Sequence, residues 1–305
     1  MWKLVKKITL LSIISLLAIL LLFFYENYSI TDNKLYKLDT STHIIFLGNS
    51  HVECAINDSL ITHSKNFAQS ADTYFYIYYK IKKIVEANSQ IDTVFLDFPN
   101  SLFQRDRDTW VYGDEYLGVK YPKYSHLISM EDQCYLFYKN PSVFLISLKD
   151  AIKNNYDILS KKSNIYDTLK WGGYLYLKRE EISQNFKDSF LVKRTEKIKK
   201  SFSNLNYNYF QKILSFCKDR SITVILFIPP LHYLSQIDDI RFGKDLMKKE
   251  FKNISLWDYN AFELQDYEYG DLSHLNYKGA ITFSHFINNK INRIDSLNLK
   301  SNIKQ

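Results

Sequence analysis

The spacing of apolar positions changes character several times along this 305-residue chain. Residues 8–25 (Ile-Thr-Leu-Leu-Ser-Ile-Ile-Ser-Leu-Leu-Ala-Ile-Leu-Leu-Leu-Phe-Phe-Tyr) form an uncharged run, long enough as a helix to cross a hydrocarbon core. Short apolar runs follow at His43–Leu47, Lys65–Ala68, Thr93–Phe98, Thr223–Ile228 and Ile254–Asp258, and Gly48, Pro99 and Pro229 close three of them. Runs of that length and closure predict strands. Helical spacing covers Thr73–Ala87, with Asp72 or Thr73 as N-cap, then Asn204–Arg220 and Asn276–Ile291. In the last of these, Ala280, Phe283, Ile287 and Ile291 fall along one face. A loop and helix are expected between Gly48 and His63, and Met247–Phe251 reads as the end of another helix.

Strands alternating with helices predict a parallel sheet with helices on both faces. Residues 101–201 interrupt the alternation. They are rich in Tyr, Asp and Lys, with helical pieces near Ser142–Ile158 and a Trp171-Gly172-Gly173 turn, and read as an inserted helical subdomain or cap. The expected organisation is a basic tip and membrane-spanning signal anchor over 1–26, a polar tether over 27–40 and one α/β domain over 41–305. Lys3, Lys6 and Lys7 precede the apolar run while Glu26 and Asp32 follow it. The positive-inside rule then puts Met1 in the cytoplasm and the remainder outside. A cleaved signal peptide is the rival reading, but its apolar core would be shorter and no Ala-x-Ala site follows.

Composition removes several function classes. The net charge of +7 is spread in lysine pairs such as Lys82-Lys83 and Lys161-Lys162, without the basic block a nucleic-acid surface would show. Cys54, Cys134 and Cys217 lie far apart with no Cys-x-x-Cys pair, so neither a zinc site nor a disulfide framework is expected. Cys54 and Cys217 read as small core residues. No cofactor motif follows the first strand: Gly-x-Gly-x-x-Gly and Walker patterns are both missing.

The candidate chemistry lies at the two ends of the α/β region. Gly48-Asn49-Ser50-His51 follows the first strand, and Asp271-Leu272-Ser273-His274 precedes the last helix. A serine hydroxyl needs a base within hydrogen-bond reach, and the base needs a group that holds its tautomer. Ser50, His274 and Asp271 supply the three roles, and the three-residue separation lets one loop aim Asp271 and His274 along a line. In an open α/β sheet, ligands bind beyond the carboxyl ends of the strands. Ser50, Asn100 and the segment after Pro230 all fall there. His51, adjoining the nucleophile, is sterically awkward as its base but could line a pocket with Asn49, His232 and Tyr233.

These blocks resemble the SGNH (GDSL-like) hydrolase superfamily, in which a first block carries the serine and a last block carries Asp-x-x-His. Gly48-Asn49-Ser50 is similar to the first block, with Asn49 where the family usually has Asp. Asp271, His274 and the continuation Leu275-Asn276-x-x-Gly279-Ala280 are similar to the last. The resemblance spans residues 43–291 and implies a flavodoxin-like three-layer doubly wound parallel sheet carrying a helical insertion. It also implies an oxyanion hole made of the Ser50 N–H, an N–H near Ser70 or Ala71, and the Asn100 side chain. The middle blocks depart from the family: Phe98-Pro99-Asn100-Ser101 stands for Gly-x-Asn-Asp, and the second-block glycine has no counterpart. Membrane-anchored members of the superfamily include proteins that acylate exported or cell-wall polysaccharides beside an integral-membrane acyltransferase. The resemblance therefore implies an O-acyltransferase or esterase with an acyl-ester or glycan substrate and no cofactor. A non-catalytic assembly or glycan-binding protein that kept the fold is the alternative.

Overall fold

The computed structural model describes residues 2–161, 165–180, 182, 201–235 and 249–302. Strands β1 (Ile44–Leu47), β2 (Ser64–Asn66), β3 (Thr93–Asp97), β4 (Thr223–Ile228) and β5 (Ser255–Asp258) form one parallel sheet in the order β2-β1-β3-β4-β5. This is the flavodoxin-like order, and the chain reverses its winding between β1 and β3. Register aligns Leu47 with Leu96 and Leu96 with Leu226, so the strands end along one edge. All four residues of β1 are buried although they alternate between faces, as expected of a strand covered on both sides.

Helices α1 (Trp2–Ser29), α2 (Ser50–Ala55), α3 (Tyr74–Ala87), α4 (Thr109–Tyr112), α5 (Asp114–Tyr124), α6 (Met130–Lys139), α7 (Pro141–Lys161), α8 (Ile165–Leu169), α9 (Asn204–Asp219) and α10 (Tyr277–Asn302) follow in chain order. One sheet face packs Phe46, Phe95 and Phe227 against Val52 of α2 and Phe283, Ile287 and Ile291 of α10. The Phe46 and Phe95 rings stack at 4.6 Å. Elsewhere α3 and α9 pack together, with Phe75 and Tyr209 centroids 4.7 Å apart.

The chain divides into two compact units, Met1–Lys37 with Tyr112–Lys170 and Leu38–Val111 with Trp171–Gln305. The helical unit is narrower than the expected insertion over 101–201. Phe103 packs on Tyr74 and Phe210, and Trp171 is fully buried in the sheet-bearing unit. Parts of the stretch expected to be a tether are anchored to the helical unit. Helix α1 runs on to Ser29, and Tyr36 lies buried with its hydroxyl 2.6 Å from His126 Nε2. Of the helix expected at Met247–Phe251, Lys249 and Glu250 are helical and its start lies outside the described residues. The last helix continues past Ile291 to Asn302. Helix α1 is long and apolar enough to cross a bilayer.

Candidate active site

Strand β1 hands directly to α2 through Gly48 and Asn49. A Cβ on Gly48 would stand 2.4 Å from the Asp97 Cβ, so only glycine lets β1 end this close to β3. Asn49 caps α2: its Oδ1 accepts from His51 N–H at 2.9 Å, and its own N–H donates to Asp97 Oδ2 at 3.3 Å. Asn49 is buried and serves the turn. Ser50 is the first residue of α2, and its hydroxyl remains partly exposed beyond the sheet edge.

The partner loop is built by its own carboxylate. Asp271 Oδ1 accepts the N–H groups of Ser273 and His274 at 2.8 and 3.0 Å, which folds the four residues back on themselves. Asn276 then caps α10, its Oδ1 accepting from Lys278 and Gly279. Its amide group donates to the carbonyl of Tyr267 at 2.7 Å. Gly279 admits the Glu268 carbonyl, which would stand 2.3 Å from a Cβ there. These local bonds aim the His274 ring at α2. His274 Nδ1 lies 2.9 and 3.0 Å from the two Asp271 oxygens, and Nε2 lies 2.8 Å from Ser50 Oγ. An ionised carboxylate only accepts, so Nδ1 carries the proton and Nε2 is left to accept from the serine hydroxyl.

Arg179 donates to Asp271 Oδ2 from the other side. Partial burial works to raise the Asp271 carboxyl, but the His274 hydrogen bond and charge, the Ser273 N–H and Arg179 outweigh it and hold it at about 2. Arg179 belongs to an extended strap, residues 171–180, that reaches helix α2, the segment after β2 and the start of α10. Gly173 N–H donates to Ala68, Leu175 N–H to Glu53, and the Leu177 carbonyl accepts from Tyr277 N–H. Gly172, at φ +106, lies so close to the Phe67 and Ala68 carbonyls that a Cβ would stand 2.3 Å from one of them.

The expected oxyanion donors fare unequally. Among the described residues the Ser50 N–H makes no protein hydrogen bond, as the first N–H of a helix permits. The Ser70 N–H does not serve: it donates to Glu53 Oε2 at 2.7 Å, and the Ser70 hydroxyl binds the same oxygen. Ala71 is held at φ +58, the left-handed region where the second-block glycine would be at ease. Its N–H makes no protein hydrogen bond among the described residues. Beyond Ala71, Asp72 and Lys80 form a buried ion pair at 2.6 Å, with Lys80 also donating to the Phe67 carbonyl at 2.8 Å. Asn100 begins the short turn after β3 and Pro99, and its side chain lies outside what is described.

His51 places its ring 5.4 Å from that of His274, centroid to centroid. Burial, with His274 beside it, pushes His51 down to about 3, so it is neutral at any working pH. The His232 ring is buried, with Nε2 3.1 Å from Asp266 Oδ1 and Nδ1 accepting from the Leu234 N–H. Tyr233 is 58% exposed, its ring 4.4 Å from that of His232. Burial raises the Cys54 thiol to about 12, as a core cysteine should behave. A separate cleft of about 290 Å³, lined by His43, His63 and Asp92, opens where β1 and β3 begin, away from Ser50.

The residue pattern did not reveal Arg179, Glu53 or the Asp72–Lys80 pair. Glu53, three residues after Ser50, carried a local signal, since helical spacing puts both on one face. Arg179 carried none.

No curated protein sequence matches this chain. A family model without a descriptive name matches residues 178–296, less than half of the chain. Among solved structures the chain is similar to a candidate acylhydrolase from Bacteroides fragilis, at 11% identity and a TM-score of 0.36, over 83% of this chain and 88% of that one. That likeness is weak, and the chemistry rests on this chain's own residues.

Proposed function

We propose that this protein is a serine esterase or O-acyltransferase of the SGNH type. In this reading α1 anchors it in the cytoplasmic membrane, and its α/β domain works outside on acyl esters of a surface or cell-wall glycan. The 2.8 Å contact between Ser50 Oγ and His274 Nε2, with Asp271 on the far side of the ring, carries the reading. Ser50 Oγ attacks the acyl carbonyl while His274 Nε2 takes its proton, and Asp271 holds the imidazolium that forms. The oxyanion is met by the N–H groups of Ser50 and Ala71 and by the Asn100 side chain, each such donor lowering the barrier by about 2.7–4 kcal/mol. Collapse of the tetrahedral adduct expels the alcohol, which leaves with the proton from His274. Water or a glycan hydroxyl then repeats the sequence on the Ser50 ester. An integral-membrane acyltransferase is the proposed partner on the donor side, and no metal or organic cofactor enters any step.

A fluorophosphonate probe tests the assignment on the purified full chain. Labelling of the wild type and none of Ser50→Ala is expected, and equal labelling of both discards it. Engagement of the Ser70 N–H by Glu53 favours a second reading, a non-catalytic assembly or glycan-binding protein. Under that reading Ser50→Ala leaves function in the cell intact at unchanged protein level.

A further inference from the structure

The uncharged run and the helical unit share a boundary that fixes a depth. Leu10, Leu17 and Leu21 are exposed along α1, yet Phe23, still inside the run, is only 3% exposed. Asn27, one turn further, accepts a buried hydrogen bond of 2.7 Å from Asn155, in the second half of α7. Four residues of helix rise about 6 Å. The part of α7 around Asn155 is therefore held at the level where the run leaves the hydrocarbon.

Helix α7 carries two apolar stripes. Phe144, Ser147, Ala151, Asn155 and Ile158, spaced by three and four, are buried in the unit. Leu145, Leu148, Ile152, Tyr156 and Leu159 follow the same spacing one position along, and none of them is buried. Leu145 is 56% and Tyr156 63% exposed. Exposed Lys149 and Lys153 border this second stripe. A helix with one face in a protein core normally turns polar residues outward. An outward apolar stripe bordered by lysines is instead the pattern of a helix lying in a lipid interface.

We propose that the outward stripe of α7, formed by Leu145, Leu148, Ile152, Tyr156 and Leu159, lies in the headgroup–acyl boundary of the bilayer that α1 crosses. The inference rests on the reading of α1 as an anchor. The helical unit is then held flat on the membrane, with Lys149 and Lys153 reaching the phosphates of anionic lipid.

The test uses the full chain with exposed Cys134 replaced by serine and buried Cys54 and Cys217 retained. An environment-sensitive dye is attached to Ile152→Cys, Leu159→Cys, Lys153→Cys or Leu17→Cys, and each protein is reconstituted in phosphatidylcholine–phosphatidylglycerol vesicles. Blue-shifted emission quenched by doxyl lipid is expected at positions 152, 159 and 17, with quenching by aqueous iodide at 153. Iodide quenching at 152 and 159 while 17 remains in lipid overturns the inference and leaves the anchor standing. Iodide quenching at 17 as well overturns both. Dyes at 152 and 159 shielded from both quenchers, with cross-links between copies, assign the stripe to a second copy of this chain and overturn the lipid contact.

Discussion

Two histidine–carboxylate pairs in the sheet-bearing unit use the same ring in opposite senses. His274 turns Nδ1 to Asp271 and offers Nε2 to Ser50 at 2.8 Å, on a ring that is partly exposed. His232 turns Nε2 to Asp266 at 3.1 Å, spends Nδ1 on the Leu234 N–H, and is buried. Its backbone N–H also donates to the Leu272 carbonyl at 3.2 Å, so His232 braces the very loop that carries His274. A carboxylate beside an imidazole therefore does not make a base. The nitrogen left over must face an alcohol and remain open to substrate.

The largest effects separate the two pairs directly. Ser50→Ala or His274→Ala should lower kcat/KM on a p-nitrophenyl ester by about 10⁴–10⁶, and Asp271→Asn by about 10⁴. His232→Ala should leave kcat/KM within about tenfold while costing about 1–3 kcal/mol in a urea melt, from the buried groups it orphans. Equal catalytic losses at His232 and His274 would break the distinction.

Asp97 extends it to a buried carboxyl that braces the site. Burial outweighs the Asn49 N–H that donates to it and the nearby Phe98 N–H, and raises it to about 7. A group raised in the folded state stabilises fully below its unfolded value, and that stability is lost as pH rises through the folded value. Denaturant stability should thus fall from about pH 4 to about pH 7, by an amount on the order of 4 kcal/mol. Asp97→Asn, which mimics the protonated acid, should flatten that window; an unchanged slope assigns it elsewhere.

Arg179 brings a positive charge to the Asp271 carboxylate of the first pair. Arg179→Met removes a charged donor from the carboxylate that holds the imidazole, so kcat/KM should fall by about tenfold. Arg179→Lys should restore most of it, and an unchanged kcat/KM reduces Arg179 to packing. The smallest change concerns Ala71 at φ +58. Ala71→Gly should add about 1 kcal/mol of stability by relieving left-handed strain, with activity on the ester unchanged within about twofold.

Much of this molecule was legible residue by residue. All five strand regions and the three long helical segments named from spacing are present, because burial on both faces and helical amphipathicity leave local patterns. Ser50, Asp271 and His274 could be singled out for a similar reason: a glycine closing a strand and an Asp-x-x-His before a cap are chain-local features. Nothing local could tell that the Ser70 N–H is taken by Glu53, that Trp171–Glu180 crosses Phe67, Glu53 and Tyr277, or that His232 points inward. Those facts depend on contacts between residues far apart in the chain, where a donor has one hydrogen to give and the nearest acceptor wins. The chain thus determined which side chains were capable of chemistry, and the packing of distant segments decided which of them retained a free nitrogen, hydroxyl or N–H to use.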